Sequence, residues 1–257
     1  MSDRSNGRRR FLRMSLAGIA SVVVTGCDKL GAASWFAGLL RSGESLTRAT
    51  QRLIVGDQAL AQEFTEADIT GPFRSNGTSH PRSAAYDALA ANAFADWRLK
   101  VDGLVAQPAQ FSLEELRALP SRTQITRHDC VEGWSAIAKW TGVPLREILA
   151  RVQPEPSARY VVFHCADPKE PNGTQPYYES VDMVDAYHPQ TILAYELNGA
   201  ALPIGNGAPI RVRIERQLGY KMAKYIMRIE LVDSYAGIRG GQGGYWEDRG
   251  YAWYAGI

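Results

Sequence analysis

Between Trp97 and Asp233 apolar residues keep returning at every second position, and no other feature of the chain narrows its fold as much. In WRLKVDGLV, Trp97, Leu99 and Val101 alternate with charged residues, the period of a strand with one buried face, and Asp102-Gly103 supplies a turn. PIRVRIE repeats the pattern, setting Ile210, Val212 and Ile214 against Arg211, Arg213 and Glu215. Gln124 to Cys130, RYVVFHC and KYIMRIELVD read as further strands. TILAYELNGAALP reads as a hairpin, because Asn198-Gly199 suits the type I′ turn that strand twist favours. Helical signals are fewer. Ser112 with Glu115 three residues later forms a capping box that opens a short helix ending at Pro120. Pro144 starts a second, with Leu145, Ile148, Leu149 and Val152 on one face. A Ser/Thr/Arg-rich helical piece near 44–56 and a polar loop, GPFRSNGTSHP, come before the strands. The expected class is α+β, built on mixed sheets.

The N-terminus has a different grammar. Arg8 and Arg9 precede Phe11 and Leu12 and a weakly apolar run of about a dozen residues, too short for a spanning helix. RRxFL resembles a twin-arginine export signal, an address for machinery that carries folded proteins; the other reading is a basic, disordered N-terminus. Val24-Thr25-Gly26-Cys27 resembles a bacterial lipobox, which would make Cys27 a lipidated first residue and, with Asp28 behind it, anchor the protein at the inner membrane on the periplasmic side. The expected layout is a signal over 1–27, a lead-in over 28–95 and the globular domain over 96–257, its core beginning about residue 70. Residues 1–26 hold five arginines and one aspartate, a net of +4, so the whole chain's +2 leaves about −2 for the rest. No basic face for nucleic acid is indicated.

Cys130, in TRHDCVEGWSAIAKWTG, is the residue that most needs a chemical reason. A disulfide to Cys165 is one reading, since the compartment would permit it. Zinc is another, drawing on His128, Cys130, His164 and Cys165, although the adjacent His164 and Cys165 should point to opposite faces, so at most three ligands converge. A nucleophilic thiolate lowered by Arg127 and His128 is a third.

A fourth reading comes from resemblance. CVEGWSAIAKWTGVPL resembles the molybdenum-cysteine segment of the sulfite oxidase superfamily, on the branch that includes the catalytic subunit of the periplasmic methionine sulfoxide reductase. ARYVVFHCAD, ESVDMVDAYHPQTILAYELNGAALPIGNGAPIRV and LGYKMAKYIMRIELVD follow in the family's order, so the likeness covers roughly residues 70–235. It implies a mixed α+β molybdopterin-binding domain, with Cys130 as the single protein ligand of molybdenum while the pterin dithiolene supplies other sulfurs. It further implies that Asn76, Asn206, Arg211 and the segment Lys221, Met222, Ala223 and Lys224 hold the pterin and its phosphate. Cys165 stands where reductase relatives carry a threonine that touches the cofactor. Glu132 matches a glutamate near the metal and is expected to be a buried carboxyl that shuttles protons.

The reaction so implied is two-electron oxygen-atom transfer on a small substrate, with S-oxide or N-oxide reduction favoured over sulfite-like oxidation. The chain carries neither a CxxCH haem motif nor an iron–sulfur cysteine cluster, so a separate cytochrome is expected to exchange the electrons. No room is evident for a C-terminal dimerisation domain, and a monomer is expected. The alternative is a lipid-anchored binding or assembly protein that kept the fold without catalysis. Simpler readings exist for single residues: Arg211 as a solvated strand position, Lys221 and Lys224 as surface charges, Glu132 as a plain hydrogen-bonded side chain, Trp134 and Trp140 as core. The aromatic tail holding Tyr245, Trp246, Tyr251, Trp253 and Tyr254 reads equally as a covering flap or as core.

Overall fold

Two five-stranded sheets carry the protein in the computed structural model, which describes residues 34–168 and 175–257, with side chains from Gly43 onward. The arginine pair Arg8-Arg9 and Cys27 lie outside the described residues. Helix α1 (Ser34–Val55) links a short unit ending at Thr50 to the unit Gln51–Ile257, which holds everything described below. No helix among the described residues is long and apolar enough to cross a membrane.

The first sheet runs β2 (Ala109–Ser112), β1 (Arg98–Gly103), β10 (Ile226–Val232), β5 (Tyr160–Pro168), β6 (Pro176–Asp182). Only β1 and β10 pair in parallel; the other neighbours are antiparallel, so the sheet is mixed as expected. The alternation read in WRLKVDGLV is realised, with Leu99 and Val101 fully buried on β1. The second sheet runs β3 (Arg122–Cys130), β4 (Trp134–Pro144), β7 (Ile192–Leu197), β8 (Ala200–Ala201), and β9 (Arg211–Arg213) pairs with β7.

This second sheet is covered on both faces. Leu193 and Tyr195 point into a core shared with the first sheet, whereas Ile192 and Ala194 join Trp140, Ala138 and Phe73 in a smaller cluster behind it. At the β7–β8 turn Asn198 and Gly199 both have positive φ, 52° and 80°, the geometry a type I′ turn requires. The helices follow their caps. Helix α2 (Ala84–Ala91) places Tyr86 in the core. Helix α3 (Leu113–Ala118) is closed by the reciprocal Ser112–Glu115 capping box, with Ser112 N–H donating to Glu115 Oε2 at 2.6 Å. Helix α4 (Leu145–Val152) buries Leu145, Ile148, Leu149 and Val152 completely, each contributing roughly 1.5–3 kcal/mol of transfer free energy. A short helix α5 (Met183–Tyr187) follows β6.

PIRVRIE departs from expectation. Its regular part is three residues long, and Arg211, Val212 and Arg213 are all buried, instead of alternating between core and water. The reason is that the segment leading into β10 lies across it: Val212 N–H donates to the Ala223 carbonyl at 2.9 Å, and Ile226 N–H to that of Ile210 at 3.4 Å. With β7 on one side and this segment on the other, the strand has no solvated edge, and Arg211 is not a solvated position.

Candidate active site around Cys130

Strands β3 and β4 form a long hairpin in register from Arg122↔Gly142 to Cys130↔Trp134, which sets Cys130 at its tip. The thiol is half-buried and opens on a cavity. Four of the residues expected at the site line that cavity with it: Asn76, Glu132, Met222 and Lys224. They are gathered by Lys224, whose ammonium donates to the carbonyls of Asn76 at 2.7 Å and Gly205 at 3.1 Å, tying the lead-in loop to the chain before β10. Lys224 is therefore not a surface charge.

Behind this wall the structure is unusually polar. Arg211 is fully buried, donating to the carbonyls of Asn206 at 3.2 Å and Met222 at 3.4 Å, with its guanidinium 5.1 Å from the Trp140 ring centroid. Among the described residues it has no carboxylate partner, and burial together with the neighbouring Arg213 charge pulls it down to about 9. Arg213, by contrast, is held bidentately by Glu215 at 2.6 and 2.9 Å. Arg213 Nη1 also donates to His128 Nδ1 at 3.0 Å, which places the imidazole proton on Nε2. His128 Nε2, Arg211 Nε and Asn76 Oδ1 are all buried without a hydrogen-bond partner. Gly219 packs directly against His128, where a Cβ would collide with the ring.

The alternatives for Cys130 fare differently. No disulfide joins Cys130 and Cys165, the first at a hairpin tip and the second in the core of the other sheet. Among the described residues no group of three His, Cys, Asp or Glu could hold a zinc ion. His128 is turned toward Arg213, and His164 toward Glu230 at 2.8 Å. Nor is the thiol activated: burial pushes it up and the Glu132 carboxylate adds to this, against the Glu132 amide and the Arg74 charge. Arg127 points away, onto Asp129 at 2.9 Å.

Other residues land elsewhere than anticipated. Glu132 is exposed, not buried, with its carboxylate reaching Trp134 Nε1 at 3.1 Å and the Cys130 thiol, because it sits in the solvent-facing turn of the hairpin. Lys221 is fully buried but faces two carboxylates, Glu179 and Glu247, the latter at 2.6 Å. Asn206, Arg211 and Ala223 stand behind the cavity wall, and Cys165 within the core. Trp140 is wholly core and Trp134 partly buried beside Phe73.

The cavity also has lining residues that sequence reasoning did not single out: Asp167, Tyr177 and Tyr220. The tail divides its labour. Tyr245 and Trp253 are buried, while Trp246 and Tyr251 line the cavity with their rings stacked at 5.2 Å, so it is core and wall at once. Its Gly and aromatic spacing was the available signal.

Comparison with known proteins identifies the family. Residues 87–237 match the family described as the oxidoreductase molybdopterin binding domain. The chain is 40% identical over 253 residues to YedZ1 of Azospira oryzae, a subunit named for protein-methionine-sulfoxide reductase, spanning 97% of this chain and 87% of that one. It is 41% identical over 174 residues to MsrP of Ralstonia nicotianae, named as a protein-methionine-sulfoxide reductase catalytic subunit, covering 65% of this chain and 49% of that relative. In fold it is similar to the sulfane dehydrogenase SoxCD from Paracoccus pantotrophus, with a TM-score of 0.50 and 24% identity over 55% of this chain and 39% of the other.

Proposed function

The chain belongs to the oxidoreductase molybdopterin binding domain family, and we propose that it binds a molybdenum-molybdopterin cofactor through Cys130 and reduces an S-oxide, with methionine sulfoxide as the leading candidate. The observation that carries the reading is Arg211, a fully buried cation with no carboxylate ion-pair partner among the described residues, on which Glu215, already paired with Arg213, acts only at longer range. Such a charge is costly in a dry interior unless an anion arrives to meet it. A pterin phosphate supplies that anion, and the ring system supplies partners for the orphaned His128 Nε2 and Asn76 Oδ1, so the residues present fit the group.

When bound, the cofactor supplies a two-electron redox centre for oxygen-atom transfer. The chain's own residues prepare the place for it. Cys130 would hold the metal as a thiolate, a soft sulfur ligand, releasing the proton that burial keeps on the free thiol. Lys224, which ties the Asn76 loop to the cavity wall, would hold the anionic end, with the Arg211 charge behind that wall adding to the attraction. Trp246 and Tyr251 present stacked ring faces to the cavity, a surface on which a thioether or sulfoxide sulfur packs favourably. Glu132, at the solvent side of Cys130, is placed to exchange protons between bulk water and the mouth of the cavity. The electrons come from a separate one-electron carrier, a cytochrome by chemical habit, and the resemblance of the N-terminal arginine motif to an export signal supports a periplasmic location with Cys27 as the anchor.

Purification from a host that makes the cofactor tests this reading. Near-stoichiometric molybdenum and pterin are expected, with turnover of methionine sulfoxide by reduced viologen dye. Absence of both metal and pterin would leave only a binding module. A loaded protein that oxidises sulfite but ignores sulfoxides and N-oxides would reverse the direction.

A further inference from the structure

Glu179 on β6, Lys221 before β10 and Glu247 in the tail meet in the interior with no side-chain exposure above 1%. One ammonium faces two carboxylates: Lys221 Nζ donates to Glu247 Oε1 at 2.6 Å and to Glu179 Oε1, while the Trp253 ring lies 5.3 Å from the nitrogen. Fully ionised, the trio would hold one uncompensated negative charge in a place without water, which is expensive. Glu247 Oε2 has no hydrogen-bond partner, and the Ser180 N–H, which donates to Glu179 Oε1 at 2.8 Å, offsets that charge only in part.

Tyr177 ties the cluster to the cavity wall. Its phenol donates to the Tyr220 carbonyl and, at 3.4 Å, to Glu179 Oε2. Passing a proton the other way, from Glu179 Oε2 to Tyr177 Oη, requires the phenol to give up its own. Tyr177 in turn lines the cavity on which Cys130 opens.

We propose that the Glu179–Lys221–Glu247 cluster stores one exchangeable proton behind the cavity and that Tyr177 relays it to the oxygen leaving the substrate. The relay rests on the sulfoxide reductase reading given above. Reduction of a sulfoxide to a sulfide consumes two electrons and two protons and releases water. The electrons come from the one-electron carrier. One proton passes from Glu179 Oε2 to Tyr177 Oη as the phenol's own proton enters the cavity, and the second arrives from solvent at the mouth. The store refills once the product has left.

The surroundings favour retention of the proton. Facing the cluster are Tyr177 and Tyr178 on β6, the latter donating to Asp248 at 2.6 Å, with Cys165 and Asp167 on β5. Apart from Lys221 every one of these groups is neutral or acidic, and burial, then the Glu247 charge, holds the Glu179 carboxyl well above the usual carboxylate range against the pull of Lys221.

Infrared spectroscopy of the resting protein, before any reductant or substrate, reads the store directly. A protonated-carboxyl band at neutral pH is expected, absent in Glu179→Gln and shifted in Tyr177→Phe. In the loaded enzyme with reduced viologen and methionine sulfoxide, both variants should lower kcat about 10-fold to 100-fold with KM nearly unchanged. Glu179→Gln should also lose the alkaline limb of the kcat–pH profile, and Glu179→Asp should recover part of it. The proposal is overturned by a resting protein without the band, or by variants that keep the parent kcat and pH profile. Should Glu179→Gln not fold, Tyr177→Phe, which keeps the ring, decides by the same two measurements. The infrared arm needs no turnover, so a protein inert toward sulfoxides sinks the substrate reading while the band still decides the store.

Discussion

The guanidinium of Arg211 lies against the indole of Trp140, 5.1 Å from the ring centroid, and neither side chain has any exposed surface. An aromatic face offers a buried cation some compensation but does not replace an anion. Arg211→Met should therefore act with opposite sign on the empty and the loaded protein. Without cofactor the variant is expected to gain about 1 kcal/mol in urea unfolding, since a desolvated charge is gone. Molybdenum and pterin retained through purification should fall at least tenfold, the loss of about one charge-assisted contact. Equal retention would show that Arg211 is structural.

Cys130→Ser tests the ligand role with little disturbance to the fold, because the side chain is half-buried at a hairpin tip. Turnover should vanish, while the thermal midpoint of the cofactor-free protein should stay within a few degrees. An active serine variant would remove Cys130 from the chemistry.

Glu215 balances the second buried arginine and also accepts from Gln124 Nε2 at 2.8 Å. Removing it leaves Arg213 unpaired beside Arg211, so Glu215→Ala should cost roughly 3–5 kcal/mol of unfolding free energy in urea titration. Glu215→Gln, which keeps acceptor oxygen and shape, should cost less.

His128, His164 and His188 are all held below their usual range, burial being the main cause, with Arg213 adding to it for His128, Arg216 adding to it for His188 and Glu230 opposing it for His164. Each is neutral in the folded chain, whereas the unfolded chain takes up a proton near pH ~6.5. Below that pH the unfolded state binds more protons, so stability is present above it and is lost as pH falls toward the lowered folded values. Glu179, held well above the usual carboxylate range, works in the other direction, one group against three. Unfolding free energy should fall between about pH 7.5 and 5.5, and His188→Gln should flatten that slope. Stability that rises toward pH 5.5 would contradict the assignment.

Local chemistry was readable in the sequence. The period of two in WRLKVDGLV, the Ser112–Glu115 box, the Asn198-Gly199 turn and the buried face of α4 each depend on residues within one turn or one strand, and each forms as read. What escaped depends on distant partners. Arg211 and Arg213 alternate like solvated strand residues, but Trp140 and His128 cover the face they share and the segment 222–226 closes the strand's edge. Lys221 looked like one of several surface lysines because Glu179 and Glu247 stand 42 and 26 positions away. Glu132 erred the other way: two residues from Cys130, it lies in a hairpin turn whose side chains face water, which neighbouring sequence does not announce.

The cavity has consequences for the order of events in a cell. Its lining begins with Asn76 in the lead-in and is completed by Trp246 and Tyr251, so a ribosome finishes the last panel long after the first has emerged. A growing chain has no receptacle to fill. Loading must wait until both panels stand, so the order of synthesis itself separates folding from filling.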